Sequence, residues 1–172
     1  MITNELQERV TGWFAGRLPA EWQLSPADVT VDREEITVVL TIADVELDGA
    51  SDAALAEARA GRASAFREDT REQRMEIARE AEHRFERKVS WGVAVGDRNE
   101  LWTHVAAPTM TRLRQPQRLV LDTLVDAGVA RSRADALAWC VRLVGQHEGD
   151  WIAELREAMN AVDDVRAKGP AA

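Results

Sequence analysis

Apolar residues along the chain change their period several times, and each change marks an element. Ile2, Leu6, Val10, Trp13 and Phe14 recur at helical spacing, which predicts an amphipathic helix over residues 2–15, ended by Gly16 and Pro19. From Ile36 to Ile42 the period drops to two: Ile36, Val38, Leu40 and Ile42 alternate with Thr37, Val39 and Thr41. This predicts a strand with one buried face, paired with a shorter strand at Val29–Val31 through the polar turn Asp32–Glu35. An acidic loop, Ala43–Ser51, follows. Ser51 or Asp52 then caps a long helix reaching about Lys88, with Gly61 as its expected point of weakness and Phe66, Thr70, Ile77, Ala81 and Phe85 on one side. The runs VSWGVAV and LWTHVA, divided by Gly96-Asp97-Arg98-Asn99, predict a second hairpin. Residues 1–105 therefore read as a helix-hairpin-helix-hairpin domain of the α+β class.

The rear of the chain is patterned differently. Val120, Leu121, Leu124 and Val125 form the stripe of a short helix that Gly128 is placed to end. Ser132-Arg133-Ala134-Asp135 has the form of a capping box, and Leu137, Cys140, Val141 and Val144 continue as a second helix. A last helix starts near Asp150, with Trp151, Leu155, Met159 and Val162 on one face, before a loose tail from Lys168 to Ala172. The expected divisions are 106–148 and 149–172.

Residues 108–144 resemble the ribbon-helix-helix family of small repressors and antitoxins. The resemblance rests on Arg112-Leu113, on Leu121-Asp122-Thr123-Leu124-Val125, on Gly128, and on Ser132-Arg133-Ala134-Asp135-Ala136, which fall at the family's intervals without a gap. It implies a short strand ahead of the two helices, paired between two copies as a ribbon that enters the DNA major groove. Met110 and Arg112 are then outward ribbon residues, Arg114 grips backbone phosphate, and Ser132 with Arg133 forms a phosphate clamp at the start of the second helix. The architecture expected on this basis is an α+β front domain followed by a ribbon-helix-helix dimerisation module and an extra terminal helix. The expected function is a homodimeric, cytoplasmic, bacterial DNA-binding protein that regulates transcription, with double-stranded DNA and a second copy as partners and a protein or ligand on the front domain. The alternative is a non-enzymatic interaction or scaffold protein in which the module only dimerises.

Charge complicates that picture. The net charge of −8 opposes general attraction to phosphate. It is unevenly spread: residues 21–60 hold ten Asp/Glu against Arg33 and Arg59, whereas residues 106–145 hold six Arg against Asp122, Asp126 and Asp135. An acidic front and a mildly basic rear imply two jobs. The polar start MITNELQERV is no signal peptide, no apolar run approaches a membrane span, and the single Cys140 cannot form an internal disulfide, so a reducing cytoplasm is the expected compartment.

Candidate chemistry is sparse. No nucleophile elbow, phosphate-binding glycine loop or dinucleotide fingerprint occurs, and Glu80-x-x-His83 lacks the second copy that carboxylate metal bundles need. The expectation is a protein without cofactor or catalysis. Two features remain. Arg67, Arg71 and Arg74 share one helix face, which offers an anion surface unless Glu68, Asp69, Glu72 and Glu76 neutralise it, and neutralisation is the favoured reading. Trp91 and Trp102 stand on the two strands of the second hairpin, read as core or as a cross-strand pair before a ligand platform.

Overall fold

The computed structural model describes residues 4–22 and 24–168; Ile2 and the tail from Gly169 to Ala172 lie outside them. Two compact units meet in sequence between Ala107 and Pro108. In the first, helix α1 (Asn4–Arg17) and a 3-10 turn (Ala20–Trp22) lead into strands β1 (Asp28–Val31) and β2 (Glu35–Thr41). Helices α2 (Asp52–Asp69) and α3 (Arg71–Phe85) then cross over to β3 (Lys88–Val95) and β4 (Arg98–Leu101). The four strands form one sheet in the order β1-β2-β3-β4, antiparallel at both outer pairs and parallel between β2 and β3.

The period-two pattern of β2 decides which face is buried. Ile36, Val38 and Leu40 are fully buried, and the parallel register sets them beside Val89, Trp91 and Val93. Val29 and Val31 complete the same face from β1, opposite Val38 and Ile36. Val10 and Phe14 of α1 and Ile77, Ala81 and Phe85 of α3 pack on this face. Each large side chain so buried stabilises the fold by roughly 1.5–3 kcal/mol. Ala63 of α2 joins a neighbouring cluster with Ile42, Val93 and Val95.

The long helix predicted over residues 51–88 is two helices, and the break falls at Thr70 rather than Gly61. Gly61 sits inside α2 with open space around it. Thr70 instead donates its hydroxyl to the Phe66 carbonyl at 2.6 Å, and a side chain that bonds back to its own helix competes with the regular ladder. The second helix stops at Phe85, short of Lys88, because Glu86 adopts a left-handed conformation with φ of 55°.

The second unit holds helices α4 (Gln115–Asp126), α5 (Arg133–His147) and α6 (Gly149–Lys168). Gly128, with φ of 73°, closes α4: its N–H bonds the Val125 carbonyl and the next N–H bonds that of Leu124, both at 3.0 Å. The buried core of this unit is Leu121, Ala130 and Ala136, flanked by Leu113, Leu124, Val125, Leu137 and Cys140.

This architecture corrects the ribbon-helix-helix expectation. All four strands belong to the first unit, and the described part of the second is helical. Residues 108–113, where the ribbon was expected, contain no strand, and the second hairpin's outer strand is Arg98–Leu101 rather than the run from Leu101 to Ala106. A strand exists only where neighbouring backbone satisfies its polar groups, and this segment has no such ladder. Pro108 has no N–H to offer, the Val105 N–H goes to the Glu35 carboxylate, and the Arg114 N–H goes to the Gln117 side chain. No helix is long and apolar enough to cross a membrane among the described residues.

Two outcomes follow from the sheet and its loops. A Cβ at Gly92 would lie 2.7 Å from Leu101 Cδ2 and 2.8 Å from the Glu100 carbonyl oxygen, so β3 and β4 approach closely only because that position is bare. Gly92→Ala is expected to lower stability by about 1–3 kcal/mol in urea denaturation; unchanged stability would mean that β4 gives way freely. At the other corner, Arg59 clasps Asp44 through Nε at 2.8 Å and Nη2 at 2.6 Å, and the Val45 N–H adds a third bond. Arg59 first, and then that N–H, hold the Asp44 carboxyl down at about 2. A lowered carboxylate stabilises fully above the ordinary aspartate range near 4 and loses that contribution as pH falls towards 2. The gap in urea midpoint between the native protein and Asp44→Asn should therefore be widest near neutrality and shrink between pH 4 and pH 2.5. A gap independent of pH would assign the effect to something other than the ion pair.

Candidate functional site

The two features set apart in the sequence, the arginine row and the tryptophan pair, meet in the first unit. Trp91 lies on the helix-covered face because it alternates with Val93 and Val95. Trp102, just past β4, is placed beside it by the bond from its own N–H to the Trp91 carbonyl at 2.8 Å, while the Trp91 N–H donates to Thr103 Oγ1 at 3.1 Å. Above them, α2 and α3 present Arg67, Arg71 and Arg74 at i, i+4 and i+7. The result is a cleft of about 640 Å³ lined by these five residues together with Ser64, Glu68, Met75, Ala78, Val89 and Thr103.

Arg74 is the unusual group. It is only 7% exposed, and its guanidinium sits 4.6 Å from the ring centre of Trp102 and 5.9 Å from that of Trp91. Its Nε donates to Thr70 Oγ1 at 2.9 Å and its Nη2 to the Arg67 carbonyl at 2.6 Å. Both acceptors are neutral. Among the described residues no carboxylate pairs with Arg74, nor with Arg67 or Arg71. Burial, and then repulsion from Arg67 and Arg71, push the Arg74 guanidinium down to about 10, so it stays charged at neutral pH while being poorly solvated. The Trp102 indole nitrogen is buried without a hydrogen-bond partner. A buried cation without an anion is what an anionic ligand would satisfy.

No ion pair joins Glu68, Asp69, Glu72 or Glu76 to the arginine face among the described residues, although Glu68 lines the same cleft. Glu80 is bound to Arg17 through both oxygens, at 2.7 and 2.8 Å, which also removes it from the Glu-x-x-His metal pattern. No group of three metal-ligating side chains gathers anywhere among the described residues. The signal that could have located the cleft was present: the parity of Trp91 with the buried valines turns it towards the helices, and the i, i+4, i+7 arginines must face the same way.

The residues implied by the ribbon-helix-helix resemblance are placed otherwise. Met110 is 98% exposed in a stretch without regular structure, and Arg112 lies exposed in the same stretch. Arg114 occupies the cap position of α4. Ser132 caps α5 by accepting the Asp135 N–H at 3.2 Å, and Arg133 forms a two-pronged ion pair with Asp122 at 2.5 and 2.7 Å. That pairing holds the Asp122 carboxyl below, and the Arg133 guanidinium above, their ordinary ranges. Met110 and Arg133 share a shallow depression with Arg118 and Leu121; Arg112, Arg114 and Ser132 do not line it.

Residues 8–101 match the family described as the Rv1265-like protein, N-terminal domain, and residues 114–166 match the Mb1296 C-terminal domain. The second match falls on the segment that resembled ribbon-helix-helix proteins, and it replaces that resemblance. Two relatives, "Uncharacterized protein Mb1296" of Mycobacterium bovis and "Uncharacterized protein Rv1265" of Mycobacterium tuberculosis, are each 60% identical over 158 residues, which covers 92% of this chain and 69% of each relative. No solved structure matches the chain. With one family model covering all four strands and more than half of the chain, and relatives aligned through both units, the chain belongs to the Rv1265-like family.

Proposed function

We propose that this is a non-enzymatic, cytoplasmic binding protein whose N-terminal unit takes up a small organic anion in the cleft between α2–α3 and the second hairpin. The DNA-binding and ribbon-dimerised readings drop out with the ribbon itself. The observation that carries the new reading is Arg74, a buried guanidinium without a counter-ion against two indole faces. A charge held out of water is costly unless something compensates it, and the chain supplies only neutral acceptors. The apolar rings and stems beside it give the body of a ligand a surface, and the cleft lies within the 300–1,000 Å³ range typical of small-molecule sites. Binding rather than reaction is favoured by the lining itself. Ser64 and Thr103 are its hydroxyls, and neither histidine nor cysteine stands beside them to activate one.

Replacing Arg74 with Met separates the two properties. Methionine keeps the apolar stem against the indoles and removes the uncompensated charge. Thr70 Oγ1 keeps its bond to the Phe66 carbonyl when the guanidinium is gone. Arg74→Met is therefore expected to raise the stability of the ligand-free protein by about 1 kcal/mol in urea denaturation. The same variant should abolish binding of small carboxylates, sulfonates and phosphate esters, followed by the indole N–H resonances of Trp91 and Trp102. Should no such anion move either resonance in the native protein, or should the variant bind as well, the reading fails.

A further inference from the structure

Building on the anion-binding reading, we infer that the cleft is made for a dianionic head on a compact apolar body, the chemistry of an organic phosphate monoester. Charge is the first argument. Arg67, Arg71 and Arg74 contribute three positive charges and Glu68 one negative, leaving two to be balanced within the cleft. A monocarboxylate would leave one of them unmatched, next to a guanidinium that burial already disfavours. The phosphate monoester of an organic group carries close to two charges near neutrality and offers three strong acceptor oxygens.

Donor geometry is the second argument. Guanidinium forks match phosphate oxygens in pairs, and the three arginines approach from the last turn of α2 and the first turn of α3, on either side of the break at Thr70. Arg67 and Arg71 are solvent-exposed, whereas Arg74 is buried beside the indoles. The Trp102 ring, 4.6 Å from the Arg74 guanidinium, gives the ligand's apolar body a face to lie against.

Size is the third. A cleft of about 640 Å³ far exceeds an inorganic phosphate, and Met75, Ala78 and Val89 provide a wall that hydrated ions would not use. The ester is held intact, because no lining group is poised to attack phosphorus.

The test is calorimetric titration of the full chain with phenyl phosphate, inorganic phosphate and benzoate, alongside the indole N–H resonance of Trp102, identified by its loss in Trp102→Phe. Phenyl phosphate is expected to bind at least about tenfold more tightly than either other probe and to shift that resonance. Arg71→Gln, at an exposed position where folding is not at stake, should weaken phenyl phosphate by about tenfold and benzoate much less. Benzoate binding as tightly as phenyl phosphate would overturn the dianion inference while leaving an organic-anion site in place. Inorganic phosphate binding equally well would overturn the organic body. If neither organic probe binds and the resonance stays still, both this inference and the anion-binding reading fall.

Discussion

The parallel pairing of β2 with β3 is the constraint on which the first unit depends. Each hairpin alone is marginal in water, and their union gives a four-stranded sheet with one continuous apolar face. Parallel neighbours cannot be joined by a tight turn, so the chain must travel from Thr41 to Lys88 through a crossover. That crossover is α2 and α3. Its packing over the sheet sets the arginine row above Trp91, which β3 contributes, and Trp102, which is held to Trp91 by the second hairpin. The cleft is thus a product of topology: its walls lie far apart in sequence and meet only because the two central strands run the same way.

Within an acidic chain, the cleft is an electrostatic exception. The ion pairs of the first unit in which an arginine grips both carboxylate oxygens, Arg17 with Glu80 and Arg59 with Asp44, tie elements together at its periphery. Glu72 and Glu76 line a separate depression with Arg79, and Glu68 lines the cleft without pairing to any of its arginines, because residues three or four apart share a helix face and adjacent ones do not. Local sequence neutrality and local spatial neutrality therefore part company. On the anion-binding reading, a ligand that neutralised the buried charge of Arg74 would recover as affinity the free energy that its burial costs.

Elements fixed by local chemistry were the ones open to sequence reasoning. The alternation from Ile36 to Ile42, the Ser132 cap and the left-handed turn at Gly128 each depend on a few adjacent residues. The parallel pair was not legible, because nothing near Thr41 or Lys88 encodes which distant strand will lie alongside. Sequence points to Gly61 as a possible break, where only propensity is lost, whereas the break falls at Thr70, whose hydroxyl forms a bond that competes with the ladder. The ribbon-helix-helix resemblance rests on Arg112-Leu113 for the strand and on Leu121–Val125, Gly128 and Ser132–Ala136 for the helices, and only the helical part is local enough to be specified by its own residues. Those signals specify two capped helices joined by a turn, and they do not require a strand in front. The two halves of the cleft each had a bland explanation, neutralised surface or core aromatic, and only their juxtaposition gives them chemical meaning.

Thr70 carries one more implication. It stands where α2 gives way to α3, its backbone takes part in both helices, and its hydroxyl simultaneously donates to Phe66 and accepts from Arg74. A ligand that drew the guanidinium away would therefore remove a hydrogen bond made at the joint between the two crossover helices.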